Sequence, residues 1–362
     1  MKIAIIGFSN SGRTTIFNAL TGQGLETAIY PSTSGEPHLG VVNVPDERLE
    51  RLSQIFKPKK TTYATVNYID YIGLTKGDPK QNSKVYDFIK DADALLHVVR
   101  AFEDPAVVHP LGGVDPARDL EALELELILG DLMLVEKRIE KIEDTLKKGR
   151  KEKVSETEHQ VLKRCKEALE AETPLRAIEF NEEELKSIRH LEFLSMKPEV
   201  VVFNVSEGGL KDKKTGELVE KAKEMLKGKT DALALSGKIE MELAQLSHEE
   251  AKAFLEDLGI EEPALNLLIK VSYRLLDLIS FLTAGEDEVR AWTITNNTTA
   301  QKAAGKIHSD IERGFIRAEV ISYDDFIKSG NMAEARKHGL LRLEGKEYTV
   351  KDGDIINFRF NI

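Results

Sequence analysis

Apolar and polar positions along the chain fall into distinct textures. Over the first hundred residues, short β-rich runs alternate with helical ones: "KIAIIGF", "GRTTIFNALTG", "HLGVVNVP", "ATVNYIDYIG" and "DADALLHVVRAF". That rhythm predicts an α/β domain, a mainly parallel sheet covered by helices. From about Pro116 to Met196 strand signals nearly vanish, and "LEALELELILGDLMLVEKRIEKIEDTLKKG" and "SETEHQVLKRCKEALEAE" carry apolar residues at helical spacing among many charges. Two long helices folding back at "KKGRKEK", Lys147 to Lys153, predict an antiparallel hairpin. Buried-strand signals resume in "PEVVVFNVSEGG" and "DALALSGK", with "GELVEKAKEMLKG" as the crossover helix, so the hairpin reads as an insertion in one α/β domain. After "NLLIKVSYRLLDLISFLTAG", the strands "EVRAWTI", "IRAEVIS", "KEYTV" and "DIINFRF" surround a helix in "TTAQKAAGKIHSDIERG", which predicts a small α+β domain.

Length and composition add limits. A chain of 362 residues is long enough for two or three domains and a sizeable core. With 41% hydrophobic and 31% charged residues it has an ordinary soluble composition, and no apolar stretch approaches the roughly 18 residues of a membrane span. "MKIAIIGFSN" is too short an apolar run for a signal peptide and reads as the first strand. The single cysteine, Cys165, forms no internal disulfide and reads as a helix-surface or seam thiol, which fits a reducing, cytoplasmic setting. A net charge of −11 argues against wholesale coating of nucleic acid and leaves room for a local basic patch.

The first chemistry lies in "GFSNSGRTT", Gly7 to Thr15, where a strand turns into a helix. It resembles G-x-x-x-x-G-K-[ST], with Arg13 in place of lysine. Glycines let successive amides converge on phosphates at a helix N-terminus, where the helix dipole also favours an anion. Asn10, Ser11, Gly12, Arg13, Thr14 and Thr15 are the candidate phosphate-binding residues, and the Thr14 hydroxyl is a candidate Mg²⁺ ligand. About sixty residues on, "DYIG" ends an apolar strand as a D-x-x-G motif: Asp70 offers a carboxylate to the magnesium shell and Gly73 an amide to the terminal phosphate. "FNVSE" follows a buried strand where a GTPase has N-K-x-D; Asn204 is kept, Val205 replaces the lysine and Glu207 the aspartate, which favours adenine over guanine. "LSGK" ends the next strand and adds Ser236 and Gly237 as backbone contacts to the base.

With these motifs placed, the chain resembles the YchF or Obg-like ATPases, a branch of the translation-factor class of P-loop proteins. Matching stretches run nearly end to end, from "YPSTSGEPHLGVVNVPDERLERL" and "HVVRAFEDPAVVH" through "GGVDPARDLEALELEL" and "KPEVVVFNVSE" to "FLTAGEDEVRAWTITNNTTAQKAAGKIHSDIERGFIRAEVISYDDF" and "EGKEYTVKDGDIINFRFNI". The resemblance implies a Ras-like P-loop NTPase domain over residues 1–125 and 197–277, an inserted antiparallel helical hairpin over 126–196, and a C-terminal ubiquitin-like (β-grasp) TGS domain over 278–362. It implies ATP binding in preference to GTP, slow hydrolysis with Mg²⁺, and association with the ribosome. Ribosomal RNA is the natural partner of the basic hairpin tip and the TGS domain.

Several positions bear on turnover. Ras-type proteins orient water with a glutamine just after D-x-x-G, whereas this chain has Leu74, so no catalytic side chain is assigned and hydrolysis is expected to depend on another group or a partner. Asn10 occupies the loop position from which related enzymes hold K⁺ near the phosphates. Ser34 stands at the usual switch threonine as a third metal ligand beside Thr14 and Asp70, with Thr33 adjacent; "LTKGDPKQNS" lacks the family's glycine-rich switch II. Two alternatives stay open: a degenerate scaffold with little or no turnover, and a GTP-driven factor, which Val205 and Glu207 disfavour. His308 and Trp292 read as structural residues of a small core, and neither zinc spacing nor a G-x-S-x-G motif occurs.

Overall fold

The computed structural model describes residues 1–25, 36–148 and 155–361. Along these run β1 (Lys2–Ile6), α1 (Arg13–Thr21), β2 (His38–Asn43), α2 (Glu47–Phe56), β3 (Lys60–Thr62), β4 (Thr65–Asp70), α3 (Pro79–Ile89), β5 (Ala94–Ala101) and α4 (Pro116–Lys147). Then come α5 (Glu156–Glu170), α6 (Glu182–Ile188), β6 (Glu199–Val205), α7 (Lys213–Met225), β7 (Thr230–Leu235), α8 (Gly237–Leu243), α9 (His248–Leu258) and α10 (Ala264–Leu275). The chain closes with β8 (Leu278–Ala284), β9 (Glu288–Thr295), α11 (Ala300–Ile307), α12 (Ser309–Arg313), β10 (Phe315–Ser322), α13 (Tyr323–Ser329), α14 (Met332–Lys337), β11 (Arg342–Glu344) and β12 (Asp354–Phe360). No helix among the described residues is long and apolar enough to cross a membrane.

Two units are formed, Met1–Val42 with Asn67–Leu268, and Asn43–Val66 with Ile269–Ile362. The first is built on a sheet of order β2-β4-β1-β5-β6-β7. Neighbouring strands from β4 to β7 are parallel. β6 is buried along its whole length and β5 along all but its last residue. Such continuous apolar runs, "ALLHVVRA" and "EVVVFNV", are what a parallel sheet covered on both faces requires. This is the Ras-like P-loop architecture, and its parallel strands all deliver their carboxyl ends to one side.

The inserted hairpin is α4 packed on α5. Ile128, Val135 and Ile142 recur every seven residues and are buried, with Leu132, Ile139 and Leu146 packed between them, giving a coiled-coil seam against Val161, Leu162, Cys165 and Leu169. Ion pairs Arg138–Glu158 at 2.7 Å and Glu136–Lys166 at 2.9 Å run in the antiparallel sense. Cys165 is a seam residue; burial pushes its thiol up to about 12, so it stays protonated and inert. Lys147 ends α4, while residues 149–154 of the basic tip lie outside the described residues. The hairpin is not a separate body. Ala122, Leu123 and Leu127, on the first turns of α4, sit in one core cluster with Ala4, Ile6 and Leu95 of the sheet.

A buried ionic cluster joins the hairpin base to the sheet. Arg176, in the turn after α5, pairs with Glu124 of α4 and, at 2.7 Å, with Glu199 of β6. Glu199 Oε1 lies 3.0 Å from His97 Nδ1 of β5. Burial pushes His97 down to about 4, so the ring is neutral at pH 7 and its Nδ1–H donates to the carboxylate. Burial, reinforced by the Glu199 charge, pushes Glu124 up to about 8. The donor atoms of His97, Glu124 and Glu199 lie close enough together to suit a metal, yet Arg176 is hydrogen-bonded to Glu124, ion-paired with Glu199 and supplies the cation.

The second unit is a mixed sheet of order β11-β10-β12-β8-β9-β3. The first and last long strands of the C-terminal segment, β8 and β12, pair in parallel, while β8–β9 and β10–β12 are antiparallel, the β-grasp arrangement. Helix α11 contributes Ala300, Ala303 and Ala304 to the core beneath Phe281, Ile294 and Phe358. Trp292 packs at that core's margin and His308 caps α12, so both are structural.

Residues 43–66 fall outside the boundaries expected from sequence. Instead of belonging to the nucleotide domain, they join the C-terminal unit, which begins at Ile269. The cause is pairing and burial: β3 adds a parallel edge to β9, and α2 lies against β8 and β9 with Leu49 and Leu52 fully buried. Phe56 stacks on Phe326 at 5.5 Å, and Arg48 pairs with Asp352 at 2.7 Å.

Two outcomes follow from these contacts. Leu49→Ala should cost about 2–5 kcal/mol in urea melts, with hydrogen-exchange protection lost in 278–361 and not in 2–25; loss in the nucleotide domain would contradict the assignment. The folded chain holds the Glu124 proton well above the pH at which an unfolded glutamate releases it, so stability falls as pH rises toward and through about 8. His97, at about 4, and Asp131, pushed up by burial to about 6, titrate below this window. From roughly pH 6.5 to 8.5 the unfolding free energy should drop by at most about 1.4 kcal/mol per pH unit, lowering the melting temperature, and Glu124→Gln should flatten the slope. An unchanged slope in that variant would assign it elsewhere.

Candidate functional site

At the carboxyl ends of β1, β4, β5, β6 and β7 five segments meet, the usual place for a ligand on an open parallel sheet. The loop after β1 carries Asn10 at φ 65° and Gly12 at φ 92°, a left-handed path that turns the chain into α1. A side chain at residue 12 would collide with the Asn204 amide, so glycine is required by space as well as by φ. Gly12 makes no side-chain cap hydrogen bond, which leaves the first amides of α1, Arg13 to Thr15, open to an anion.

Asn204 ties the site together. Its Nδ2 donates to the Ser11 carbonyl at 3.0 Å and its Oδ1 accepts from the Gly237 amide at 3.0 Å. Of the residues expected to contact a base, Gly237 thus spends its N–H on Asn204 and acts as a strut. Val205 packs among Val201, Phe203 and Ala232, and Glu207 is exposed at the strand end. Ser236 is buried with its hydroxyl unpartnered. Asn204, Val205, Glu207 and Ser236 border a cavity of about 420 Å³ that also touches Gly12, Thr15, Phe102 and Lys238.

Phe102 and Lys238 were not selected from sequence. Their signal is position, Phe102 one residue past the end of β5 and Lys238 three past the end of β7 in the first turn of α8, in a sheet whose ligands sit at strand ends. Phe102 is held by the buried Arg100, whose guanidinium lies 4.6 Å from the ring and donates to the carbonyls of Phe102, Asp104 and Val107. Asn10 belongs to the same loop system, with Nδ2 donating to the Val108 carbonyl at 2.9 Å.

On the phosphate side, Arg13 and Thr14 both engage Asp70. Arg13 Nη1 donates to Asp70 Oδ1 at 3.1 Å and to the Tyr71 carbonyl, while Thr14 Oγ1 donates to Oδ2 at 2.8 Å. Gly73 is close-packed: a Cβ there would stand 2.9 Å from the Ser9 amide and 3.1 Å from the Arg13 guanidinium. Leu74 is 1% exposed, packs in the core and bridges Phe8, so nothing at that position reaches a water molecule. Beyond it the loop is clamped to α4, since Glu126 accepts from the Gly77 amide at 2.8 Å and from Asn82 at 2.9 Å, while Asn82 also bonds both backbone groups of Thr75. Thr33 and Ser34 lie outside the described residues.

Comparison with known proteins bears on this arrangement. Residues 2–137 match a family model described as a 50S ribosome-binding GTPase, and residues 278–361 match YchF-GTPase_C, described as a protein of unknown function. The Ribosome-binding ATPase YchF of Bacillus subtilis (strain 168) is 46% identical over 100% of both chains, and that of Escherichia coli O157:H7 is 41% identical over 100% of this chain and 99% of its own. The solved structure of the Schizosaccharomyces pombe YchF GTPase superimposes with a TM-score of 0.83 at 31% identity, covering 99% of this chain and 97% of that one. Likeness that runs through the P-loop domain, the hairpin and the β-grasp unit without interruption means that this chain belongs to the YchF family.

Proposed function

We propose that the chain binds ATP with Mg²⁺, in preference to GTP, hydrolyses it slowly, and uses its nucleotide state to regulate association with the ribosome. The observation that carries the reading is the Asn204 strut, which fixes the phosphate loop beside a cavity with room for a nucleobase. The open amides of α1 supply the phosphate cradle. Phe102 offers an aromatic wall and Lys238 an aliphatic stem to a flat base. Glu207 in place of aspartate, one methylene longer, and Val205 in place of lysine favour adenine.

The donor set fits the metal. The Thr14 hydroxyl and Asp70 carboxylate are hard oxygen ligands held together at the phosphate end, as Mg²⁺ prefers, with Ser34 as a further proposed ligand. The metal would neutralise phosphate charge; the chain's own part is to position the phosphates and to exclude a glutamine-type water contact at Leu74. Slow turnover follows from that. Asn10 is the proposed K⁺ ligand. The clamp of Glu126 on the loop after Gly73 gives nucleotide state a route into α4 and hence the hairpin. Ribosome binding is named for the relatives; here it is proposed for the hairpin tip and the TGS domain, with the cytoplasm as its place.

Titration of ATP, GTP and ADP with Mg²⁺, followed by phosphate release, tests the reading. ATP should bind more tightly than GTP, and Asn204→Ala should weaken ATP by at least about tenfold, since it frees the loop and leaves buried groups unpaired. Tight GTP with weak ATP would reverse the base assignment, and no binding would leave the scaffold reading. Turnover equal in potassium and sodium buffers would remove Asn10 as a cation ligand.

A further inference from the structure

We propose that Arg13 is a built-in counter-ion that holds Asp70 closed until a phosphate draws it away, so that phosphate binding and release of the metal-binding carboxylate are one coupled event. This rests on the reading of the site as a nucleotide site.

The pair is well shielded, with the side chains of Arg13 and Asp70 only 10% and 3% exposed. Both carboxylate oxygens are engaged, Oδ1 by Arg13 at 3.1 Å and Oδ2 by Thr14 at 2.8 Å. A divalent cation approaching Thr14 and Asp70 therefore meets a carboxylate already neutralised by a guanidinium. At this low exposure the repulsion between two cations is weakly screened.

The arginine is also incompletely satisfied in this position. One nitrogen, Nη1, serves both Asp70 and the Tyr71 carbonyl, while Nε is buried without a partner. A buried unpaired donor is costly, and a phosphate offers a guanidinium two parallel acceptors. The balance thus favours Asp70 in the empty loop and phosphate in the filled one. Gly73 makes the closed position possible, because its missing side chain leaves room for the guanidinium beside the loop. Lysine would not duplicate the device: a single ammonium cannot reach Asp70 while leaving a fork poised for phosphate.

The full chain, freed of nucleotide, tests this with inorganic pyrophosphate in the absence of metal, with MgCl₂ alone, and by hydrogen exchange over residues 70–77. Asp70→Asn removes the competitor for Arg13, so metal-free pyrophosphate should bind at least about tenfold more tightly than to wild type. Arg13→Gln should speed exchange across 70–77 and permit a thermal shift with MgCl₂ alone that wild type does not show; adding Asp70→Asn to Arg13→Gln should abolish that shift. Arg13→Lys should restore pyrophosphate binding without restoring slow exchange. Pyrophosphate affinity unchanged in Asp70→Asn, or exchange over 70–77 unchanged in Arg13→Gln, would overturn the proposal. Because no nucleotide enters these measurements, failure to bind ATP would refute the proposed function while these results decided the role of Arg13. Should Arg13→Gln fail to fold, the pyrophosphate comparison in Asp70→Asn still decides.

Discussion

The nucleotide side of this molecule depends on one buried amide. Asn204 spans from the loop after β1 to the loop after β7, strands separated in the sheet by β5 and β6, and its two hydrogen bonds use both ends of the side chain. Neither partner is replaceable locally: Ser11 presents a carbonyl because Gly12 turns left-handed after it, and Gly237 presents an amide because α8 begins there. A side chain of aspartate's shape would lose the donor and one of leucine's shape would lose both contacts, each leaving a buried backbone group without a partner. The strut ties together the two segments whose neighbours Gly12, Ser236 and Lys238 line the cavity.

A second constraint is the continuity of α4. Its first turns are core of the sheet domain and also carry Glu126 on the loop after Gly73, and the rest, from Ile128 on, forms the heptad seam. The 32-residue helix thus carries, on one continuous element, the contact to the loop at Gly77 and the seam of the hairpin. The buried Glu124–Arg176–Glu199–His97 cluster starts two residues before Glu126 on α4 and fixes the turn after α5 to β5 and β6.

Much of this was legible in the sequence. The strand-to-helix phosphate loop, the D-x-x-G at Asp70, Asn204 at a strand end and the helical apolar spacing of the hairpin follow from local spacing, and local spacing is what the backbone period enforces. The excursion of 43–66 was not legible. "ERLERLSQIF" has the amphipathic pattern of any surface helix, and nothing in its period says which sheet Leu49 and Leu52 will cover; β3 has three residues, too few to show alternation. Phe102 and Lys238 escaped for the same reason, since their role comes from where parallel strands end and not from neighbours in sequence.

Arg13 shows how a single departure from a motif acquires meaning only from its surroundings. Read alone, arginine for lysine conserves charge and loses compactness. Beside Asp70, Tyr71 and Gly73, its longer planar group finds a second place to rest, one that a lysine stem with a point charge would satisfy differently. The same carboxylate then serves two cations that exclude each other, an internal one and an external one. Order of binding becomes a property of geometry: the internal cation leaves when phosphate offers it better hydrogen bonds, and only then is Asp70 available. A loop lysine that met phosphate without touching Asp70 would impose no such order, which makes the substitution a change in mechanism as well as in affinity.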